Sequence, residues 1–156
     1  MKTLSAFLLF FFSAASFGQG GLLMLHGRVE NNSVLLKDVT IEVVKDNEIV
    51  DEFINNKNGS YKYRFALGSI YNISFTKEGY ITKTVGVIAQ TPDSLITGNF
   101  FFQLDIDLFQ MKEGIEEEPV FPAIANILIK DQKDGFIYDK RYVRWASEEY
   151  ELLKME

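Results

Sequence analysis

The sequence predicts an all-β protein: a seven-stranded antiparallel Greek-key β-sandwich, followed by a C-terminal extended segment and a short helix. Three observations indicate this class. Apolar and polar residues alternate with a period of two between residues 22 and 109, as in strands with one buried face. Turn-forming residues separate the alternating segments at short intervals. Aromatic residues make up 14% of the 156-residue chain and favour half-buried pleated surfaces.

Seven segments carry the alternating pattern. In one of them, Tyr61, Tyr63 and Phe65 alternate with charged residues, which predicts a buried aromatic face. The predicted strands are Met24–Glu30, Val39–Val44, Ile49–Ile54, Ser60–Ala66, Ile70–Thr76, Ile81–Ile88 and Asn99–Phe109. The predicted core face of the last strand consists of Phe100, Phe102, Leu104, Ile106 and Leu108.

The first residues have the composition of a signal peptide. After a basic second residue, residues 4–17 form an apolar run that is shorter than the roughly 20 residues needed to span a bilayer. Small residues allow cleavage after Ser16 or Gly18, and a mature chain beginning at Gln19 is favoured over an uncleaved N-terminal anchor. We therefore predict export to the periplasm or the outer membrane, with residues 1–18 removed and no integral membrane span left.

Composition divides the rest of the chain into three parts. Residues 19–110 carry the strand pattern and form the predicted sandwich domain. Residues 111–119 are rich in Glu and indicate a solvated linker. Residues 120–156 form an extension, in which an apolar stretch precedes a predicted helix at about 139–154 with Asp139 as its N-cap.

Few residues suit catalysis or metal binding. The chain has one histidine, His26, and no cysteine, and it contains neither a nucleophile elbow nor a Gly-rich phosphate loop. Asp105 and Asp107 have the spacing of a carboxylate pair or of two calcium ligands, but no third acidic ligand accompanies them, so a solvated outer face is favoured. The prediction is a protein that is not an enzyme, with no catalytic, cofactor-binding or metal-binding residues.

Aromatic residues outside the alternating core indicate a surface for interaction. Exposed rings either cover a docked segment of the same chain or bind a partner. The candidates are Phe101, Phe109, Tyr142, Trp145 and Tyr150. In the predicted helix, an apolar side formed by Tyr142, Ala146, Tyr150 and Leu153 needs a surface, either the protein's own sandwich or a partner. A net charge of −6 without a Lys/Arg cluster in the sequence disfavours nucleic acid and anionic membranes.

Short motifs occur in a fixed order between Leu23 and Ile88. They are His26-Gly27-Arg28-Val29, Leu36-Lys37-Asp38-Val39-Thr40-Ile41, Asn58-Gly59-Ser60-Tyr61, Gly68-Ser69-Ile70-Tyr71 and Lys77-Glu78-Gly79-Tyr80. In this order they resemble the carboxypeptidase regulatory-like domain, a transthyretin-like sandwich found in exported proteins of Bacteroidota and elsewhere. The resemblance implies an accessory or binding module rather than a catalyst.

These observations predict an exported, non-catalytic cell-envelope protein that acts as a structural or protein-interaction module, with a carbohydrate-binding module as the alternative. The expected partner is an envelope protein or a polysaccharide, and no cofactor is expected. Asp93-Ser94-Leu95 resembles the O-glycosylation sequon of Bacteroidota, which makes Ser94 a predicted modification site.

Overall fold

A computed structural model describes residues 20–91, 96–111 and 121–155 of the chain. These residues form eleven strands and one helix, so the chain is mostly β, as predicted. The strands are β1 (Leu22–Asn31), β2 (Val34–Leu35), β3 (Thr40–Lys45), β4 (Glu48–Ile54), β5 (Ser60–Ala66), β6 (Ile70–Thr76), β7 (Lys83–Ile88), β8 (Asn99–Gln103), β9 (Ile106–Asp107), β10 (Ala125–Asp131) and β11 (Gly135–Tyr138), and the helix is α1 (Lys140–Met155). Within the described ranges, no helix is long and apolar enough to cross a bilayer.

The strands form two mixed sheets. In the first sheet β1 pairs antiparallel with β5 and with the short β2, and parallel with β8 and β9. The second sheet has the order β11-β10-β7-β6-β3-β4. In it β10 runs parallel to β7, while the other neighbours are antiparallel. The prediction of a purely antiparallel sandwich is therefore wrong, and the Greek-key connection stays a prediction.

Two-residue turns connect the strands of two hairpins, β1–β2 and β3–β4. Asn32 and Ser33 between β1 and β2, and Asp46 and Asn47 between β3 and β4, all have positive φ angles of 48° to 66°. Two successive residues of this kind twist the chain in the sense that matches two paired strands. Asn and Asp adopt this conformation more easily than other residues with side chains, so the turn residues seen in the sequence account for both hairpins.

The predicted count of seven strands is wrong, partly because the last predicted strand divides. Between β8 and β9 the backbone of Leu104 passes so close over Gly27 that a Cβ atom on Gly27 would lie 1.8 Å from the Leu104 carbonyl oxygen. Regular pairing stops there, and the Asp105 side chain accepts a hydrogen bond of 2.9 Å from the Arg28 backbone N–H. Strands β10 and β11 raise the number of strands further, because they lie in the C-terminal extension, for which no strand was predicted.

The core lies between the inner faces of the two sheets and confirms most of the predicted alternation. Tyr61 and Phe65 are buried, and the Tyr61 ring packs edge-on against Phe75 with 5.0 Å between ring centroids. Tyr63 is only partly buried and stacks on Phe53 of the edge strand β4, so it is not a full core residue. Of the predicted core face of the last strand, Leu104, Ile106 and Leu108 are buried, and Phe100 and Phe102 are half-buried.

The C-terminal extension belongs to the same packed structure. The sandwich is not confined to residues 19–110, because β10 and β11 extend the second sheet. Helix α1 begins where predicted: the Asp139 carboxylate accepts hydrogen bonds from the backbone N–H groups of Arg141 and Tyr142 at 3.0 and 3.2 Å. Of the predicted apolar side of the helix, Ala146 and Tyr150 are buried, so of the two alternatives left open α1 packs on its own sandwich.

Candidate functional site

A hairpin and a helix end shape a groove at one edge of the second sheet. The β10–β11 turn is held by Asp131, whose carboxylate accepts hydrogen bonds from two backbone N–H groups within the turn. The hairpin brings Phe136 and Tyr138 against Phe100 and Phe102 of the first sheet, with ring centroids 5.9 and 5.1 Å apart. Only Asp139 separates β11 from α1, so Tyr138 lies beside the first turn of the helix.

Two recesses meet at this point and share Tyr138 and Lys140 in their walls. We name them together the Tyr138 groove. One recess has a volume of about 730 Å³ and includes Phe102, Leu128 and Ile137 in its lining. The other has a volume of about 510 Å³ and is lined in part by Leu104, Ile124, Ala125 and Val143. Both volumes lie within the range of small-molecule sites, and the lining is mostly apolar, as in such sites.

Three cations border the apolar lining. Lys140, Arg141 and Arg144 line one recess or the other, and none of them forms an ion pair with a carboxylate in the described part of the chain. Lys130 also lines the groove, but it pairs with Asp134. Because Lys140 and Arg144 are four residues apart in α1, their side chains leave the helix on the same side.

The acidic residues of the groove are already hydrogen-bonded. Asp139 caps α1, and Asp105 accepts hydrogen bonds from the Arg28 backbone and from the Gln103 side-chain amide, the latter at 3.1 Å. Both carboxylates keep their negative charge, but neither forms an ion pair with a cation of the rim, and Lys140, Arg141 and Arg144 outnumber Asp105 and Asp139 by three to two. The rim is therefore suited to an anionic group.

Two tyrosines face Asp105 and keep their protons at neutral pH. Partial burial, and then the negative charge of Asp105, raise the pKa of Tyr138 above its usual value. Burial raises the pKa of Tyr61 further, with smaller effects from Asp105 and Tyr138. The Tyr61 hydroxyl donates a hydrogen bond of 2.6 Å to the Leu104 carbonyl oxygen. No such bond joins the Tyr138 hydroxyl to another described residue, so it can donate to a ligand.

The two aspartates predicted as an outer-face pair have structural roles. Asp105 binds the backbone of β1 as described above, and the Asp107 carboxylate accepts a hydrogen bond of 2.9 Å from the Asn32 backbone N–H. His26 is exposed on the outer face of the first sheet. Among the described residues, no three His, Cys, Asp or Glu side chains come together in an arrangement that could hold a metal ion.

The five aromatic residues predicted as one interaction surface lie in different surroundings. Phe101 is 68% exposed on the first sheet, and Trp145 is 45% exposed beside Tyr142 on α1. The Phe109 ring contacts the Lys83 ammonium group, 3.7 Å from the ring centroid. Tyr150 is buried and stacks on Phe121, so it supports the helix instead of lining a surface. Ser94 lies outside the described residues.

Sequence reasoning did not identify the residues that line the groove. Phe102 was predicted only as a core residue, and Tyr138, Lys140 and Arg144 were given no role. The sequence did contain a signal for strand β10. Ala125, Ile127 and Ile129 recur at every second position, and two of the three residues that follow them, Asn126 and Lys130, are polar, as in the earlier strands. A strand there would have placed a hairpin and the helix start beside the sheet.

No protein-family model matches the chain, and no curated protein matches it. Solved structures that resemble part of the chain include catechol 1,2-dioxygenases and chlorocatechol 1,2-dioxygenases. The wild-type Acinetobacter radioresistens catechol 1,2-dioxygenase has 12% identity and a TM-score of 0.47, over 67% of this chain and 57% of that one. The enzyme from Acinetobacter sp. ADP1 has 12% identity and a TM-score of 0.46, over 70% and 59%.

The chlorocatechol 1,2-dioxygenase of Pseudomonas putida has 13% identity and a TM-score of 0.44, over 60% of this chain and 62% of that one. The chain thus spans about three fifths of the length of each of these structures. At such identities the likeness concerns the fold alone, and it transfers no activity to this chain.

The comparisons correct one expectation. The chain was predicted to be a non-catalytic module and not an enzyme, but the solved structures found to resemble it are enzymes.

Proposed function

We propose that the protein binds a small amphipathic organic anion, a compound with an apolar body and a carboxylate or phosphate group, in the Tyr138 groove. The observation that carries this proposal is the combination of an apolar lining with three cations that have no described acidic partner. Apolar surface removed from water contributes about 25 cal/mol per Å², and the cations add attraction and orientation.

The groove suggests how such a ligand would lie. Its apolar body would cover Phe102, Leu104 and Val143, which line the two recesses. Its anionic group would meet Lys140 and Arg144 on one side of α1. The Tyr138 hydroxyl is protonated at neutral pH, as any tyrosine with a pKa near or above 10 is, so it can donate a hydrogen bond to the same group.

Calorimetry with octanoate and its neutral analogue 1-octanol tests the proposal. We expect octanoate to bind and 1-octanol to bind more weakly. Exposed charges contribute about 1 kcal/mol each, so the double variant Lys140→Gln/Arg144→Gln should raise the Kd for octanoate roughly 10- to 30-fold. Added salt should reproduce part of this loss by screening.

A matched control is the double variant Lys37→Gln/Lys57→Gln, which removes the same charge from exposed positions that do not line the groove. It should bind octanoate like the unchanged protein. Equal losses in both double variants, or equal binding of octanoate and 1-octanol, would contradict the proposal.

We further propose that the protein is exported after removal of residues 1–18, as a sandwich related to the carboxypeptidase regulatory-like domain. Supporting this relation, the motif glycines Gly59, Gly68 and Gly79 have φ angles of 76°, 94° and 80°, which fit glycine in tight turns. Intact mass measurement of native protein should give a chain that begins at Gln19. A chain that retains Met1 would contradict export by cleavage.

A further inference from the structure

Strand β4 forms one edge of the second sheet and is exposed at nearly every position. In the described part of the chain it pairs only with β3, in an antiparallel register that sets Glu52 opposite Glu42 and Ile54 opposite Thr40. The other side of β4 carries backbone groups that a further strand could pair with. We name this surface the β4 edge, and define it by β4 itself together with Glu42.

The register shows which backbone groups of β4 face away from the sheet. The Asn55 N–H donates to the Val39 carbonyl oxygen at 3.1 Å, and hydrogen-bonded pairs alternate with non-hydrogen-bonded pairs along an antiparallel ladder. Glu52 and Ile54 therefore direct their N–H and C=O groups away from β3. The Glu52 N–H donates to the Asp51 carboxylate at 2.9 Å, a bond that a carbonyl oxygen of an added strand can replace.

Side chains on β4 alternate between two directions. Asp51 and Phe53 lie opposite fully buried residues of β3 and point towards the other sheet. Ile49, Glu52 and Ile54 point outwards. Ile49 is 62% exposed and Ile54 is 63% exposed, so two large apolar side chains flank one carboxylate along the edge. Covering such side chains removes apolar surface from water, which favours binding.

Two carboxylates face each other on the outward side of this hairpin. Glu42 and Glu52 are directly opposite, and like charges in that arrangement destabilise a strand pair. Neither of them forms an ion pair with another described residue. The remaining outward positions of β3, β4, β6 and β7 carry no charged side chain. A cation from outside would therefore relieve the repulsion between the two carboxylates.

Lysines close to these strands are directed elsewhere. Lys45 and Lys83 lie on the inward sides of β3 and β7, opposite buried aromatic residues of β6. Lys77, which follows β6, donates a hydrogen bond of 2.7 Å to the Lys37 backbone carbonyl oxygen. The outward face from β4 to β7 is thus locally negative, with apolar side chains beside the negative charge.

We propose that the β4 edge binds an extended segment of a partner protein as an added strand, in which a Lys or Arg alternates with apolar residues. Main-chain hydrogen bonds to Glu52 and Ile54 would hold the segment, as in other complexes formed by strand addition. Its cation would lie beside Glu52 and Glu42, and its apolar side chains would cover Ile49 and Ile54. This interaction is independent of the Tyr138 groove, which lies at the opposite edge of the same sheet.

A second copy of the chain fits this edge less well. Antiparallel pairing of two β4 strands about their middle would set Asp51 and Glu52 of one copy beside the same residues of the other. Like charges in these positions are destabilising. The Glu-rich segment 111–119 would meet the same repulsion. Charge therefore favours a basic segment from another protein.

Fluorescence anisotropy with a dye-labelled, terminally blocked heptapeptide, Thr-Ile-Thr-Lys-Thr-Ile-Thr, tests this assignment. When extended, the peptide places its Lys and both Ile side chains on one face. We expect it to bind, and we expect the same peptide with Glu in place of Lys to bind roughly 10-fold more weakly, because attraction to two carboxylates becomes repulsion. A fully N-methylated version should not bind, since it cannot donate main-chain hydrogen bonds to the edge.

A charge exchange supplies the decisive control. Glu52→Lys should weaken binding of the Lys peptide roughly 10-fold and strengthen binding of the Glu peptide. Glu148→Lys makes the same change in net charge at an exposed position on α1 and should bind both peptides like the unchanged protein. Melting temperatures should show that both variants are folded.

Three results would overturn the proposal. The first is equal binding of the Lys and Glu peptides, and the second is unchanged binding of the N-methylated peptide. The third is a dimer of the peptide-free chain in sedimentation that is altered by Glu52→Lys and not by Glu148→Lys, because it would assign the β4 edge to a second copy.

Discussion

Tyr61 connects the aromatic core to the point where the first sheet changes its pairing. Its ring packs against Phe75, and its hydroxyl donates a 2.6 Å hydrogen bond to the Leu104 carbonyl oxygen, directly beside Gly27. The phenol is 3% exposed, so water does not replace this bond when it is lost. The Tyr61 side chain thus stabilises the core through its ring and the backbone between β8 and β9 through its hydroxyl.

Replacing Tyr61 with Phe tests this role. We expect Tyr61→Phe to lower the free energy of unfolding by about 1 kcal/mol at neutral pH, because the Leu104 carbonyl loses its donor. Tyr71→Phe is the matched control, since its hydroxyl bond to Ala66 is longer, at 3.2 Å, and only partly buried. Urea unfolding measures both variants, and an equal or larger loss in the control would contradict the assigned role.

The raised pKa of Tyr61 adds a pH dependence to the same comparison. In the unfolded chain a tyrosine loses its proton near pH 10, whereas the folded protein holds the Tyr61 proton to higher pH. The unfolded state is therefore favoured increasingly as the pH rises above about 10, and stability is lost. Tyr61→Phe should show a smaller alkaline loss than the unchanged protein. An identical slope in both would show that Tyr61 is not the group responsible.

Among the elements, strands with one buried face were the ones that sequence reasoning found. The alternation of Tyr71, Ile73 and Phe75 locates β6 correctly, and the same pattern locates β1, β3 and β5. The predictions for β4 and β7 also fall on strands, although β4 is almost entirely exposed and β7 is buried at most of its positions. Local alternation contains no information about distant neighbours. The sequence pattern therefore could not predict that Leu104 approaches Gly27 closely and so divides the last predicted strand. Nor could it predict that β10 pairs parallel with β7.

Helix α1 was predictable because its signals are local. Asp139 is an N-cap residue in sequence and in structure, and the helix then buries Ala146 and Tyr150. Its docking surface was left open between the protein's own sandwich and a partner, since an isolated helix of this length is marginal in water. Strand β10 and Phe121 supply that surface.

Removing the cap tests whether the helix start depends on Asp139. We expect Asp139→Ala to destabilise the protein by about 1 kcal/mol and to speed amide exchange at Arg141 and Tyr142, whose N–H groups lose their acceptor. Asp139→Asn should retain most of the protection, because an Asn side chain also caps. Unchanged exchange at both amides in Asp139→Ala would contradict the capping role.

For the molecule as a whole, the sequence predicted a β protein with a helical tail but not the Tyr138 groove. The groove needs β8, β11 and α1 side by side, and these elements are far apart in the chain or were not predicted as strands. Its three cations come from one short segment at the start of α1, Lys140 to Arg144, and were visible in the sequence. The apolar lining beside them comes from β8, β10 and β11, so the sequence alone could not place it there.

NMR of ¹⁵N-labelled protein titrated with octanoate shows whether the Tyr138 groove is a binding site. We expect saturable shifts of the amides of Phe102, Tyr138, Lys140 and Arg144, with the amides of Lys37 and Lys57 unchanged. These shifts should require higher octanoate concentrations in Lys140→Gln/Arg144→Gln. Shifts that spread evenly over both sheets, or that leave the groove amides unchanged at saturating octanoate, would contradict the proposed site.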